Sequence, residues 1–132
     1  MDIIVDASVI LAVVMNEPAK PAMISFTRDA KLIAPTSIHF EIGNALSAMF
    51  RRRRVTLEQA TEAVDVYQSI PIRFVNVGLI NSLVIAHHLN IYAYDAYLMR
   101  CAEKYRAPLL TLDTSLRRRA VEYGLQVVEV GE

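Results

Sequence analysis

The stretch from Met1 to Val14 constrains this chain more than any other. An apolar, β-branched triplet, Ile3-Ile4-Val5, stops at Asp6, and an apolar helical pattern resumes at Val9. A triplet without polar alternation reads as a strand buried on both faces, at the centre of a parallel sheet. Asp6 then falls at the strand's carboxyl end, with Ala7 and Ser8 opening a helix. In open α/β sheets that edge is where ligands bind. A carboxylate beside a buried strand is costly unless donors or cations answer it. Asp6 therefore reads in two ways, as the N-cap of the following helix or as a metal ligand.

The rest of the chain alternates in the same manner. Asn16-Glu17-Pro18 stops the first helix, and a second helix is expected over 19–30, with Pro21 in its first turn. Leu32-Ile33-Ala34 is a short strand ended by Pro35, and Thr36 or Ser37 caps a third helix. Ile38, Ile42, Ala45, Leu46 and Met49 form its apolar stripe, while Glu41 and Asn44 share a neighbouring face. Thr56-Leu57-Glu58-Gln59 has the form of a capping box for a fourth helix to about Ser69, so the two helices form a hairpin with Arg51 to Arg54 at its tip. Further strands are expected at 72–75, 108–112 and 126–130. Helices are expected over 77–89, from Asp95 to about Tyr105, and over 114–123. The segment 91–94 is too short to assign. Strands alternating with helices make βαβ units, and we expect one three-layer α/β/α domain with a mostly parallel sheet over residues 1–132.

Composition bounds the function. At 132 residues and 54% hydrophobic, the chain is apolar enough that a partner is expected to cover part of its surface. No apolar run is long enough to span a bilayer, and the N-terminus has no basic segment of the kind that opens a signal peptide. Cys101 is the single cysteine, which excludes a cysteine-built zinc site and fits a cytoplasmic location. The formal net charge is zero, but Arg51, Arg52, Arg53 and Arg54 with Arg117, Arg118 and Arg119 supply half of the 14 basic residues. They read either as solvated helix ends or as local patches contacting RNA or a protein partner.

The acids carry the chemistry. Asp6, Glu41, Asp95 and Asp113 each follow a strand or sit early in a helix, and a parallel sheet brings all of them to one edge. Each alone has a capping or surface explanation. Together they repel unless protonated or bridged by a cation. Oxygen ligands without nearby His or Cys favour Mg²⁺ or Mn²⁺, which suits hydrolysis of phosphodiesters by water.

Four blocks carry a resemblance: Ile3-Ile4-Val5-Asp6-Ala7-Ser8, Pro35-Thr36-Ser37 through Glu41-Ile42-Gly43-Asn44-Ala45-Leu46, Tyr94-Asp95-Ala96-Tyr97-Leu98 and Leu110-Thr111-Leu112-Asp113. In order and spacing they resemble PIN-domain ribonucleases, and within those the VapC-type toxins of toxin–antitoxin pairs. The resemblance covers essentially the whole chain. It implies an acidic quartet of Asp6, Glu41, Asp95 and Asp113, with Ser8, Asn44 and Ser115 (or Thr111) as supporting polar groups. It further implies an RNA substrate, Mg²⁺ or Mn²⁺ as cofactor, a homodimer and a cognate antitoxin, and the hairpin of the third and fourth helices is the surface expected to pair with a second copy or with the antitoxin. The arginine runs are outside the family's signature.

Rival readings fare worse. A receiver domain needs paired acids after the first strand and a late lysine, and an aspartyl phosphatase needs a second acid two residues past the first. Neither pattern is present. A PIN-like module that binds RNA or protein without cleaving it is the remaining alternative. His87-His88 lies on a helix away from the strand ends and reads as surface or core. Tyr92, Tyr94 and Tyr97 flank Asp95, where packing explains them as well as base stacking does.

Overall fold

A computed structural model describes residues 1–131. Among them are four strands and seven helices, in the order β1 (Asp2–Val5), α1 (Ala7–Val14), α2 (Lys20–Thr27), β2 (Lys31–Pro35), α3 (Ile38–Arg51), α4 (Leu57–Ser69), β3 (Ile72–Val75), α5 (Leu79–Leu89), α6 (Ala93–Tyr105), β4 (Leu109–Leu110) and α7 (Thr114–Tyr123). All strand pairs are parallel, in the spatial order β3-β2-β1-β4. The three-layer α/β/α architecture read from the sequence is the one observed.

The alternation of β1 explains the layering. Ile3 and Val5 point into one apolar cluster, with Val9, Ile10, Met23, Ile38, Ile42, Leu46 and Tyr67 from α1 to α4. Ile4 points into the other, with Ile85, Leu98, Met99, Leu116 and Ala120 from α5 to α7. Adjacent side chains on a strand face opposite ways, so an unbroken apolar triplet needs a helical layer on each side. The chain first steps outward from β1 to β2 and β3, then returns to place β4 on the other flank of β1. The order of connection reverses between β1 and β4. In open α/β sheets the crevice at the carboxyl end of such a reversal is the binding site.

Local signals held where both cap partners were in the sequence. Thr56 Oγ1 accepts from the Gln59 N–H at 3.1 Å, and Gln59 Oε1 accepts from the Thr56 N–H at 2.9 Å, closing the capping box. Asn90 and Gly124, in left-handed conformations, end α5 and α7. The arginines Arg51 to Arg54 are exposed at the turn between α3 and α4.

Four expectations are corrected. Pro35 continues β2, opposite Val75. The next residue donates its N–H to Val75 of β3, so proline's missing N–H faces β1, whose pairing has stopped at Ile33. The strand expected over 108–112 is reduced to Leu109–Leu110, because the N–H groups of Leu112 and Asp113 go to the Ser8 and Thr111 hydroxyls instead of a ladder. The last strand, 126–130, shrinks to a single parallel bridge between Leu109 and Val127. Ser37 precedes α3 without a capping hydrogen bond from its side chain. The segment left unassigned at 91–94 leads directly into α6, with Tyr92 at its N-cap position. No helix among the described residues is long and apolar enough to cross a membrane.

Candidate functional site

Asp6 ends β1, and its carboxylate caps the following helix, the first of the two readings of the sequence. Oδ1 accepts from the Val9 N–H at 3.2 Å, capping α1, and from the Ser8 hydroxyl at 2.6 Å. Oδ2 accepts from the Thr111 hydroxyl at 2.5 Å. Ser8 Oγ in turn accepts from the Leu112 N–H at 3.0 Å, and Thr111 Oγ1 from the Asp113 N–H at 3.0 Å. Two hydroxyls thus stitch the end of β1 to the end of β4. Asp6 is only 5% exposed, and burial raises its pKa, opposed by those hydrogen bonds and reinforced by the Asp113 charge.

The other acids arrive from three helices. Glu41 lies in the first turn of α3, Asp95 in the first turn of α6, and Asp113 caps α7, its Oδ1 accepting from the N–H groups of Ser115 at 2.9 Å and Leu116 at 3.1 Å. α6 packs against β1 and β2, which carries Asp95 to the edge where Asp6 ends. The Glu41 carboxyl is pushed up to about 7, first by burial and then by the charges of Asp6 and Asp95. Asp95 is raised by burial, then by Asp113 and Asp6. Each of the four acids therefore interacts electrostatically with at least one other.

Their spacing corrects the sequence reading in one respect. Among the described residues, no three Asp, Glu, His or Cys side chains gather tightly enough to form a ready cation cage. The four carboxylates thus do not make the tight cluster expected, and without a bridging cation their mutual repulsion disfavours one. The donor set still suits a hard cation. Glu41 Oε2 is buried without a hydrogen-bond partner, and a buried acceptor left open is costly unless a ligand answers it. Mg²⁺ needs only one or two protein carboxylates and keeps several waters, so a tight cage of three is not required.

The supporting residues divide. Ser8 is at the centre of the network. Ser115 meets the site through its backbone N–H, while the buried Thr111 has the hydroxyl role. Asn44 joins Ala7, Phe40, Glu41, Ala45 and Tyr94 around a cleft of about 630 Å³. Arg117 donates from Nη2 to the Thr111 carbonyl at 2.9 Å, whereas Arg118 is exposed. His87 and His88 lie in the last turn of α5, with His88 edge-on to Tyr123. Phe40 was not singled out from the sequence. Its signal was there, an aromatic on the polar face of an amphipathic helix directly before an acid.

Thr111 gives a direct test of the network. Thr111→Val keeps the shape but leaves Asp6 Oδ2 and the Asp113 N–H without their partner. The expected cost is about 1–3 kcal/mol of folding stability, read as a lower urea midpoint. An unchanged midpoint would show that the hydroxyl bridge contributes nothing.

A family model of the PIN domain matches residues 3–122. The chain belongs to the PIN-domain family. Its fold is similar to the crystal structure of PAE2754 from Pyrobaculum aerophilum, with 25% identity and a TM-score of 0.73 over 90% of this chain and 79% of that one. It also shares the fold of VapBC2 from Rickettsia felis, solved bound to a DNA fragment from the promoter, at 12% identity and a TM-score of 0.67 over 98% of each chain. VapC20 of Mycobacterium tuberculosis, a toxin that cleaves the sarcin–ricin loop, aligns at 14% identity and a TM-score of 0.65 over 97% of this chain and 99% of that one. No curated protein sequence matches the chain. In this PIN domain the acids of all four sequence blocks fall at the carboxyl edge of the sheet.

Proposed function

We propose that this PIN domain, as a single nuclease domain, is an endoribonuclease that hydrolyses RNA phosphodiester bonds with Mg²⁺ or Mn²⁺. In this reading it is the toxin of a type II toxin–antitoxin pair. The observation that carries the reading is the buried, unpartnered Glu41 Oε2 among three further carboxylates at the reversal point of the sheet. Family membership and a fold shared with VapC toxins support it.

Asp6, Glu41, Asp95 and Asp113 are the residues that would hold the cation. When bound, it offsets their repulsion and supplies the Lewis acidity for attack by water on the phosphodiester. Asp6 is held in place by Ser8, Thr111 and the Val9 N–H, so it presents a fixed lone pair. Glu41 Oε2 has no such partner, which leaves its lone pairs open to a ligand. No side-chain nucleophile is required of the chain. The test is cleavage of an unstructured RNA by purified protein with EDTA and with Mn²⁺. Cleavage in Mn²⁺ that EDTA abolishes is expected. An inert protein in Mn²⁺ would favour the non-cleaving PIN-like module instead.

A cognate antitoxin, a cytoplasmic location and a homodimer belong to the same reading. The hairpin of α3 and α4 is the sequence-based candidate for a self-paired or antitoxin-binding surface. α5 exposes more apolar side chain, with Leu79, Ile80, Leu83 and Val84 in water on successive turns, and we assign self-association to that helix. Light scattering at micromolar concentration is expected to give a dimer, and Ile80→Glu with Leu83→Glu a monomer. A monomeric wild type would count against the pairing.

A further inference from the structure

We propose that Phe40 and Tyr94 stack on unpaired nucleobases beside the scissile phosphate and are the side chains by which the cleft grips the RNA strand. The inference rests on the nuclease reading above and names the residues that bind the substrate's bases. Each ring directly precedes an acid of the site, Phe40 before Glu41 in α3 and Tyr94 before Asp95 in α6. Neighbouring residues on a helix are about 100° apart, so a carboxylate aimed at the sheet edge leaves the preceding ring at the rim. Both rings line the same cleft, together with Glu41.

The rings are held in water. Phe40 is 71% exposed and Tyr94 50%, and neither belongs to the apolar clusters that flank the sheet. Tyr94 packs against Tyr97, with centroids 6.0 Å apart and planes at 85°, which orients the ring without covering it. So exposed a Phe buries little apolar surface within the fold, whereas aromatic platforms are how single strands are gripped.

The chemistry of the lining narrows the occupant. No Lys or Arg lines the cleft, and Glu41 repels a phosphate placed there. A flat, neutral base suits the walls formed by Ala7 and Ala45, and the Asn44 amide can donate to and accept from its edge. In a duplex the bases are already paired and stacked, so they cannot enter.

The test uses one labelled RNA strand, alone and annealed to its complement. It is offered to wild type, Phe40→Ala, Tyr94→Ala and the double variant, with Phe40→Tyr and Tyr94→Phe as conservative controls. Fluorescence anisotropy in Ca²⁺ gives Kd, and steady-state cleavage in Mn²⁺ gives KM and kcat. Melting curves confirm that each variant folds. Each alanine is expected to raise Kd and KM for the single strand about tenfold with kcat little changed. The aromatic controls should stay near wild type, and wild type should discriminate against the duplex. Unaltered single-strand affinity in the double variant, or duplex bound by wild type as tightly as single strand, overturns the proposal. A change in oligomeric state at constant RNA affinity also overturns it and assigns the cleft to a protein partner. If wild type cleaves nothing in Mn²⁺, the nuclease reading fails separately and anisotropy still decides: binding lost with the rings supports stacking, and no binding overturns it.

Discussion

Asp6→Asn is expected to reduce Mn²⁺-dependent RNA cleavage by at least about a hundredfold while leaving the fold intact. The two effects separate because of how Asp6 is held. Asparagine keeps an acceptor oxygen for the Val9 N–H and the Ser8 hydroxyl, and its amide can donate to Thr111, whose hydroxyl turns to suit. It also caps a helix about as well as aspartate. What it removes is a negative charge in a buried position, where charge is costly to the fold and useful only to a cation. The variant is therefore expected to melt no lower than wild type in EDTA. Glu41→Gln should behave similarly, since the Glu41 carboxylate oxygen has no protein partner to lose. Cleavage rates within a few-fold of wild type for both variants would remove these two carboxylates from the mechanism.

The second large effect needs no substrate. The Glu41 carboxyl is pushed from 4.5 up to about 7 on folding, and Asp6 and Asp95 are raised as well. Between the unfolded and folded values the native state binds more protons than the unfolded chain. Without metal, stability therefore falls as pH rises from about 4.5 to about 7, and is lowest above that range. Asp95→Asn removes a charge that burial and its neighbours disfavour. Its melting temperature in EDTA should exceed that of wild type, and the gap should widen with pH. Asp113→Asn relieves Asp6 and Asp95 of one repelling charge and keeps its cap. A cation bound only by the native state adds about 2.7 kcal/mol at a hundredfold excess over its dissociation constant, roughly 10 °C for a chain of this size. Mn²⁺ should raise wild type by that amount and both variants by less. If Mn²⁺ leaves wild type unmoved and neither variant melts higher in EDTA, the acids are ordinary caps and surface charges.

Much of this protein was written locally. The Ile3-Ile4-Val5 triplet demanded a layer on each face of its strand, and the alternation of strands and helices demanded crossovers, so a parallel three-layer fold followed from period and length. Thr56 with Gln59, Asn90 and Gly124 set helix ends because each cap is a bond between near neighbours or a backbone shape tied to one residue. The acids at strand ends followed from the same logic, as a parallel sheet gathers its carboxyl ends on one edge. Other features depend on partners distant in the chain. β4 stops at Leu110 because Ser8 and Thr111 take the next backbone donors, and the 126–130 segment reaches the sheet only at Val127. Asp6 caps its helix with one oxygen, and Thr111, 105 residues away, takes the other. The placing of Phe40 and Tyr94 around one cleft, and the burial that pushes Glu41 toward neutrality, arise where α3 and α6 converge on the strand ends. Periodicity names the residues on a helix face, but desolvation and proximity depend on what else packs there, and only the tertiary structure decides that.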